Sequence, residues 1–242
     1  MNIIKLSAIN STNDYLKQIT ATRYVENFTV VCAESQTAGK GQMGSVWTVQ
    51  PGKNLTFSVL VKDLLLEVNG IFNLNVAVAV SIVEALDAFN IPRLSIKWPN
   101  DILAGNKKIG GILIENSFKQ GGEIFSVIGI GLNVNQDNFE GLAKASSLLV
   151  ATGREFDKEQ VMLAVIEKLR HNIARLLHND TQQLWQNYHD RLYKKGQPMP
   201  FECDGKKFMG IIKNVTQSGR LRVTLEDDSV AEYAIKEVQL LY

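Results

Sequence analysis

Apolar residues along the chain change period several times, and each change marks an element. Ile3, Ile4 and Leu6 form a short apolar start. Ser11, Thr12, Asn13 and Asp14 then supply side-chain oxygens able to cap a helix that carries Tyr15, Leu16 and Ile19. The β-branched run from Phe28 to Ala33 predicts a buried strand, which empties into a long loop from Gln36 to Gly52. Loops of that length inside a compact unit are usually functional, and this one is expected to be mobile without ligand. A strand over Leu55 to Val61 and a helix over Ile71 to Phe89, ended by Pro92, follow. Strands are predicted at Leu94 to Trp98, Ile102 to Ala104, Lys108 to Glu115 and Ile124 to Val134, with turns at Gly105-Asn106 and Gly121-Gly122.

The second half becomes helical, then β-rich. Asp157 and Gln160 resemble a capping box ahead of Val161, Ala164, Val165, Leu169, Ile173 and Leu176, and another helix is predicted around Leu184 to Leu192. After Lys194 to Pro198 the pattern alternates at short range. Five short strands are predicted between Phe201 and Tyr242, with turns at Asp204-Gly205, Ser218-Gly219 and Asp227-Asp228. The expected fold class is α+β: a mixed β-sheet domain over 1–193 and a small β-barrel over 194–242.

Composition narrows the functions available. The 242 residues carry 26 basic and 25 acidic side chains, a net +1, so no global field favours nucleic acid or an anionic membrane. Cys32 and Cys203 have no metal-binding or framework spacing, which fits ordinary thiols in a reducing compartment. His171, His178 and His189 show no metal-ligand spacing and are expected at the surface or core edge. Neither a secretory leader nor an uninterrupted apolar span is legible; Val76 to Phe89 contains Ser81, Glu84 and Asp87 and reads as a core helix. A cytoplasmic location is expected.

Three stretches carry candidate chemistry. Gly39, Gly41 and Gly44 surround Lys40 in the loop, where backbone N–H groups and one cation can meet an anion; the spacing fits no standard phosphate loop, and a plain surface turn explains it equally well. Lys97 to Asp101, Lys-Trp-Pro-Asn-Asp, is followed by Lys108, which enters an apolar strand before Gly110 and Gly111 and therefore needs a negative partner. Lys107 reads as a solvated strand-end charge, and Asp101 reads either as a turn former or as a site residue. Gly129 and Gly131 alternate on one strand face, leaving it bare for a flat ligand or marking a bulge, and Asn133 continues that face.

Together the Ser11-Thr12-Asn13 start, the loop from Gln36 to Trp47, Lys97 to Asp101, Lys108 to Gly111, and Gly129 to Asn135 resemble the biotin–protein ligase family in order and spacing. The resemblance runs over essentially the whole chain. It implies a catalytic domain similar to class II synthetases followed by an SH3-like barrel. It also implies activation of biotin by ATP and Mg²⁺ as biotinyl-5′-AMP, then transfer to a lysine of a biotin carboxyl carrier protein. Ser11, Thr12, Gln36, Gly129 and Gly131 would line the biotin pocket, and Asn13 and Gly110 belong to the same matched motifs. The segment holding Gly39, Gly41, Gln42 and Trp47 would close over the ligand, with Lys40 near the phosphate. Lys108 would bind the biotin carboxylate and the joining phosphate; Lys97, Asn100 and Asn133 would lie on the nucleotide side; Asp101 would orient or deprotonate the acceptor amine. No metal-ligand cluster is implied.

Where relatives often carry arginines, this loop has Lys40, Gln42, Met43 and Ser45, which lowers its charge and its bidentate phosphate contacts. The chain is expected to correspond to the form lacking the N-terminal DNA-binding domain, without operator binding. A lipoate–protein ligase and a non-enzymatic biotin sensor are the competing assignments, and the sequence leaves monomer and homodimer both open.

Overall fold

The computed structural model describes residues 2–64, 70–118 and 124–242. Strands β1 (Ile3–Ile9), β2 (Val30–Gln36), β3 (Leu55–Leu64), β4 (Leu94–Lys97), β5 (Asp101–Ala104), β6 (Lys107–Phe118) and β7 (Ile124–Leu132) form one sheet in the order β1-β2-β3-β7-β6-β5-β4. β1 and β2 are parallel and every other pair is antiparallel, so the sheet is mixed as expected. Helix α1 (Thr12–Thr22) makes the crossover that a parallel β1–β2 pair requires.

Both faces of the sheet centre are covered. Alternate residues of β3, Phe57, Val59 and Val61, join Ile128 and Ile130 of β7 in the main core under helices α2 (Ile71–Asp87) and α4 (Lys158–Leu177). On the other face Leu60 and Val127 pack with Leu16, Ile19 and Val25 of and after α1. β3 therefore reads as a nearly continuous apolar run, as a strand buried on both faces should. From Leu55 to Val61 its exceptions are the buried Thr56 and Ser58, on the α1 face.

α2 is long and apolar enough to cross a membrane by composition, but eleven of the thirteen positions from Leu74 to Leu86 are buried in the protein's own core, so the core-helix expectation holds. Asp157 caps α4, accepting from the N–H groups of Glu159 and Gln160 at 2.8 and 3.2 Å. A helix α3 (Leu148–Thr152), absent from the sequence expectation, is capped by Ser147 and ended by Gly153 at φ +77°. Helix α5 (Gln182–Asp190) follows α4.

The last five strands are β8 (Pro198–Cys203), β9 (Lys206–Val215), β10 (Leu221–Leu225), β11 (Val230–Tyr233) and β12 (Gln239–Leu240). They form a second, antiparallel sheet in the order β11-β10-β9-β8-β12. Its buried residues Phe201, Ile212, Leu221 and Val223 are continuous with the main core. The Trp98 Nε1–H donates to the Gly219 carbonyl at 2.9 Å, tying the turn after β4 to the second sheet, and His189 Nε2 lies 3.0–3.2 Å from the Val215 backbone, tying α5 to the same sheet.

Several boundaries differ from expectation. β2 starts at Val30 because Phe28 has φ +58°, and it runs on to Gln36. β7 ends at Leu132, not Val134, because Asn133 turns to hydrogen bond with the Ile109 carbonyl. β8 starts at Pro198, earlier than Phe201. The Gly121-Gly122 turn lies outside the described residues. Turns at Gly105-Asn106 and Asp204-Gly205 are present, with Asp204 and Gly205 both at positive φ.

Gly219 combines φ +84° with a Phe72 ring 2.4 Å from where a Cβ would sit, whereas Gly205 has φ +75° and open space. Gly205→Ala is expected to cost about 1 kcal/mol of stability from backbone strain alone, and Gly219→Ala about 2–4 kcal/mol because Phe72 must also move. Urea unfolding of the two variants checks this; equal losses would show that the Phe72 contact carries nothing.

Candidate active site

Cross-strand register builds the floor of a cleft of about 320 Å³. Asp101, Gly111, Gly131, Thr56 and Ala33 stand opposite one another in turn on β5, β6, β7, β3 and β2, and the next row holds Leu113, Gly129, Ser58 and Val31. Residues directly opposite share a face, so two rows with little side-chain bulk lie side by side. The first turn of α1 and the end of β2 make one wall, the loop after β2 a second, and the β4–β5 hairpin the third.

The α1 wall is a closed polar network. Ser11 caps the helix, accepting from the Asp14 N–H at 3.4 Å. Gln36 Oε1 accepts from the Thr12 N–H at 2.7 Å and from its hydroxyl at 3.1 Å. The buried Ser58 hydroxyl lies 2.7 Å from Thr12 Oγ1 and 2.5 Å from Asn13 Oδ1, sharing one proton between them. Asn13 Nδ2 donates to Glu115 Oε2 at 2.7 Å. Hydroxyl and amide groups are thus fixed in orientation before any ligand arrives.

The loop folds into a narrow hairpin. Lys40 bridges Val46, the Trp47 N–H donates to Gly39 O at 2.9 Å, and the Gly41 N–H donates to Ser45 O at 2.7 Å, around a single 3₁₀ turn at Gln42–Gly44. A Cβ on Gly39 would lie 2.3 Å from the Trp47 carbonyl, so close backbone approach fixes glycine there. The hairpin lays the Trp47 indole on Gly131, where a Cβ would be 2.4 Å from the ring. Trp47 Nε1 is buried against Gly131 without an acceptor among the described residues.

Charge is arranged in two clusters. Lys108 Nζ lies 2.6 Å and Lys97 Nζ 3.3 Å from the two oxygens of Asp101, and Lys108 sits 5.5 Å from the centre of the Trp47 ring. Asp14 holds Lys40 at 2.6 Å and Lys17 at 3.0 Å, while Lys17 reaches Glu115 at 2.6 Å. The bond from Lys40 holds the Asp14 carboxyl below its ordinary range. Burial lowers Lys17, but Glu115 and Asp14 together outweigh it and leave the ammonium above its usual value. Tyr242 stacks against Lys97 and Lys144, and burial with the nearby Asp101 charge pushes its phenol up to about 12.

The structure brings most of the expected residues together. Ser11, Thr12, Asn13, Gln36, Lys40, Gly41, Gln42, Trp47, Lys97, Asn100, Asp101, Lys108, Gly129 and Gly131 all line the cleft. The lysine at 108 finds its carboxylate, and Lys107 is exposed as expected. Three positions fall differently. Gly110 faces Leu132 and Ile102 inside the sheet, and Gly111 takes its place on the floor. Gly39 is buried at the hairpin base. Asn133 donates to the Ser146 carbonyl at 2.9 Å and lies beyond the lining. The face of Gly129 and Gly131 is not bare either: Asn13 and Trp47 occupy it, each reaching where a Cβ would sit. Sequence reasoning missed Asp14, Thr56, Ser58, Gly111 and Glu115. The polar pair at 56 and 58 in an otherwise apolar strand was the available signal for two of them.

Fold and cleft define a class of ligand-binding site in which a polar wall, a glycine hairpin and paired lysines surround a narrow floor. Residues 6–135 match the biotin/lipoate A/B protein ligase family, and the chain belongs to that family. It is 33% identical over 195 residues to the bifunctional ligase/repressor BirA of Bacillus spizizenii, covering 77% of this chain and 59% of that protein. It is 30% identical over 196 residues to the biotin–[acetyl-CoA-carboxylase] ligase of Mycobacterium tuberculosis, covering 79% and 71%. Thus the chain matches less than two thirds of the BirA protein's length. Among solved structures, biotin protein ligase from Aquifex aeolicus in complex with biotin and ATP superposes with a TM-score of 0.82 at 27% identity, covering 99% of this chain and 98% of that one.

Gly131→Ala should drive the indole of Trp47 off the floor and shift tryptophan emission to the red, whereas Gly111→Ala, whose Cβ meets only ordinary contacts at 3.4–3.6 Å, should leave the spectrum in place. Identical spectra for the two variants would mean that Gly131 does not seat the indole.

Proposed function

We propose that this chain is a biotin–protein ligase that joins biotin to ATP as biotinyl-5′-AMP and passes the biotinyl group to a lysine of a biotin carboxyl carrier protein. The observation that carries this is the Lys108–Asp101 pair at the end of the small-residue floor, beside a wall of fixed hydroxyl and amide groups. A flat bicyclic ligand with a polar ureido edge and a carboxylate tail meets complementary groups at both ends of such a cleft. The relatives' names and the biotin and ATP complex of the Aquifex protein support the same assignment.

In the first step a carboxylate oxygen of biotin attacks the α-phosphorus, the bond to the β-phosphate oxygen breaks, and pyrophosphate leaves. Two anions must approach, so Lys108 and Lys40 neutralise charge and the hairpin aligns the groups. Mg²⁺ is expected to arrive on the nucleotide's phosphates: among the described residues no cluster of three metal-ligating side chains exists, and protein sites for Mg²⁺ on nucleotides commonly use few carboxylates. In the second step the neutral amine of the acceptor lysine attacks the acyl carbon, AMP leaves, and Asp101 takes the amine's proton. Lys97 and Asn100 flank the nucleotide side.

We assign residues 1–193 to biotin and ATP binding and 194–242 to a small barrel that braces them. The free thiols of Cys32 and Cys203 suit a reducing, cytoplasmic setting. The polar α1 wall favours biotin over lipoate, whose apolar chain would offer the cleft-lining Thr12 and Asn13 no polar group.

Pyrophosphate release with ATP, Mg²⁺ and biotin should be robust in the wild type and fall by about 10²–10³ in Lys108→Ala. Release with lipoate in place of biotin would assign the sister activity, and binding of biotin without release would make the chain a sensor. Separately, Asp101→Asn should slow transfer from preformed biotinyl-5′-AMP to a carrier by about 10²-fold or more; unchanged transfer would remove Asp101 from the proton-accepting role.

A further inference from the structure

The carboxylates at the cleft each hold two lysines, but the two arrangements differ in what they leave free. Asp101 is well shielded, with 15% side-chain exposure, and both of its lysines line the cleft. Asp14 lies outside the lining, in the first turn of α1, and holds one lysine from the loop and one from its own helix. Lys40 is the only cation between Gln36 and Gly52. While it is paired with Asp14 at 2.6 Å, the loop offers no unpaired positive charge to a ligand.

We propose that Asp14 is a positioning residue for Lys40: it parks the loop lysine beside the empty cleft, and a phosphate-bearing ligand takes that lysine over while Asp14 keeps Lys17. Three features support the exchange. The Lys40–Asp14 pair is half open to water, at 49% and 38% side-chain exposure, so breaking it costs little. Asp14 is not orphaned when Lys40 leaves, because Lys17 stays at 3.0 Å, anchored in turn on Glu115. A phosphate carries more charge and more acceptor oxygens than a carboxylate, so it competes well for one ammonium. The consequence is discrimination: a ligand with no phosphate has nothing to offer Lys40 that Asp14 does not already provide.

Only the choice of probe rests on the ligase assignment. Calorimetric titration of wild type, Asp14→Asn, Lys40→Ala and the double variant with biotin, and with a non-hydrolysable biotinyl-adenylate analogue, tests the exchange. Asp14→Asn is expected to bind the analogue about two- to fivefold more tightly, to bind biotin unchanged, and to have no effect on the Lys40→Ala background. Tightening that persists without Lys40, equal shifts for both ligands, or no shift for either would overturn the proposal. Failure of the ligase assignment shows separately, as a wild type that releases no pyrophosphate from ATP with biotin. Inorganic pyrophosphate then serves as the titrant, and absence of the same Lys40-dependent tightening would again overturn the role of Asp14.

Discussion

Between the Asp101 end of β5 and Ala33 of β2, the cross-strand register places glycine at both 111 and 131, and the site depends on the two missing β-carbons. A sheet surface normally presents side chains about every other residue along each strand, filling the space above it. Here the second row also has a glycine, at 129, so a depression opens in a face that is otherwise packed under α1 through Leu60 and Val127. The chain fills the edges of that depression with its own groups. Asn13 descends onto Gly129 and the Trp47 indole onto Gly131, which turns a gap in the sheet into a cleft with defined walls. A methyl at either glycine would meet an atom at 2.4–2.5 Å, so helix start and loop hairpin are both positioned by what β7 lacks.

That geometry also decides where charge can be held. Lys108, Lys97 and Lys40 all line the same cleft, and three ammonium groups in one concavity would repel strongly with no anion present. Asp101 and Asp14 relieve this before a ligand arrives, and each keeps a second lysine in reserve. An anionic ligand entering the cleft therefore exchanges ion pairs instead of filling an unbalanced site, which limits the desolvation cost of bringing it in.

Much of the fold was legible because hydrophobic period and capping residues agree locally. Ser11 and Asp157 both cap the helices predicted from them, and the five C-terminal strands follow from their turns. α3 was overlooked although Ser147 and Gly153 bracket it, because five residues are too few to show a period. The site was legible where side-chain chemistry was out of place in a strand, as at Lys108. It was not legible where function depends on register. Nothing local in the sequence says that Gly111 and not Gly110 reaches the floor, since a shift between Ile102 and Leu103 sets which of the two faces the cleft. Asn133 was misplaced for a related reason: the strand ends one residue before it, so alternation no longer predicts its direction.

The turn from Lys97 to Asp101 shows why the second sheet belongs to the chemistry of the first. Trp98 is bound through its indole N–H to Gly219 of the second sheet's β9–β10 turn, Pro99 through its carbonyl to Asn75 of α2, and Asn100 to both backbone groups of Ile112 on β6. Three neighbouring residues are thus held from three directions, and the carboxylate that follows them has little freedom to move. Each bond contributes only about 1 kcal/mol to stability, but together they remove the rotations through which Asp101 would lose its alignment with Lys97 and Lys108. Tyr242 adds a fourth restraint from the end of the chain by stacking on Lys97. The described residues of the C-terminal sheet touch none of the cleft floor, yet that sheet helps fix the turn whose position sets the distance between Asp101 and Lys108.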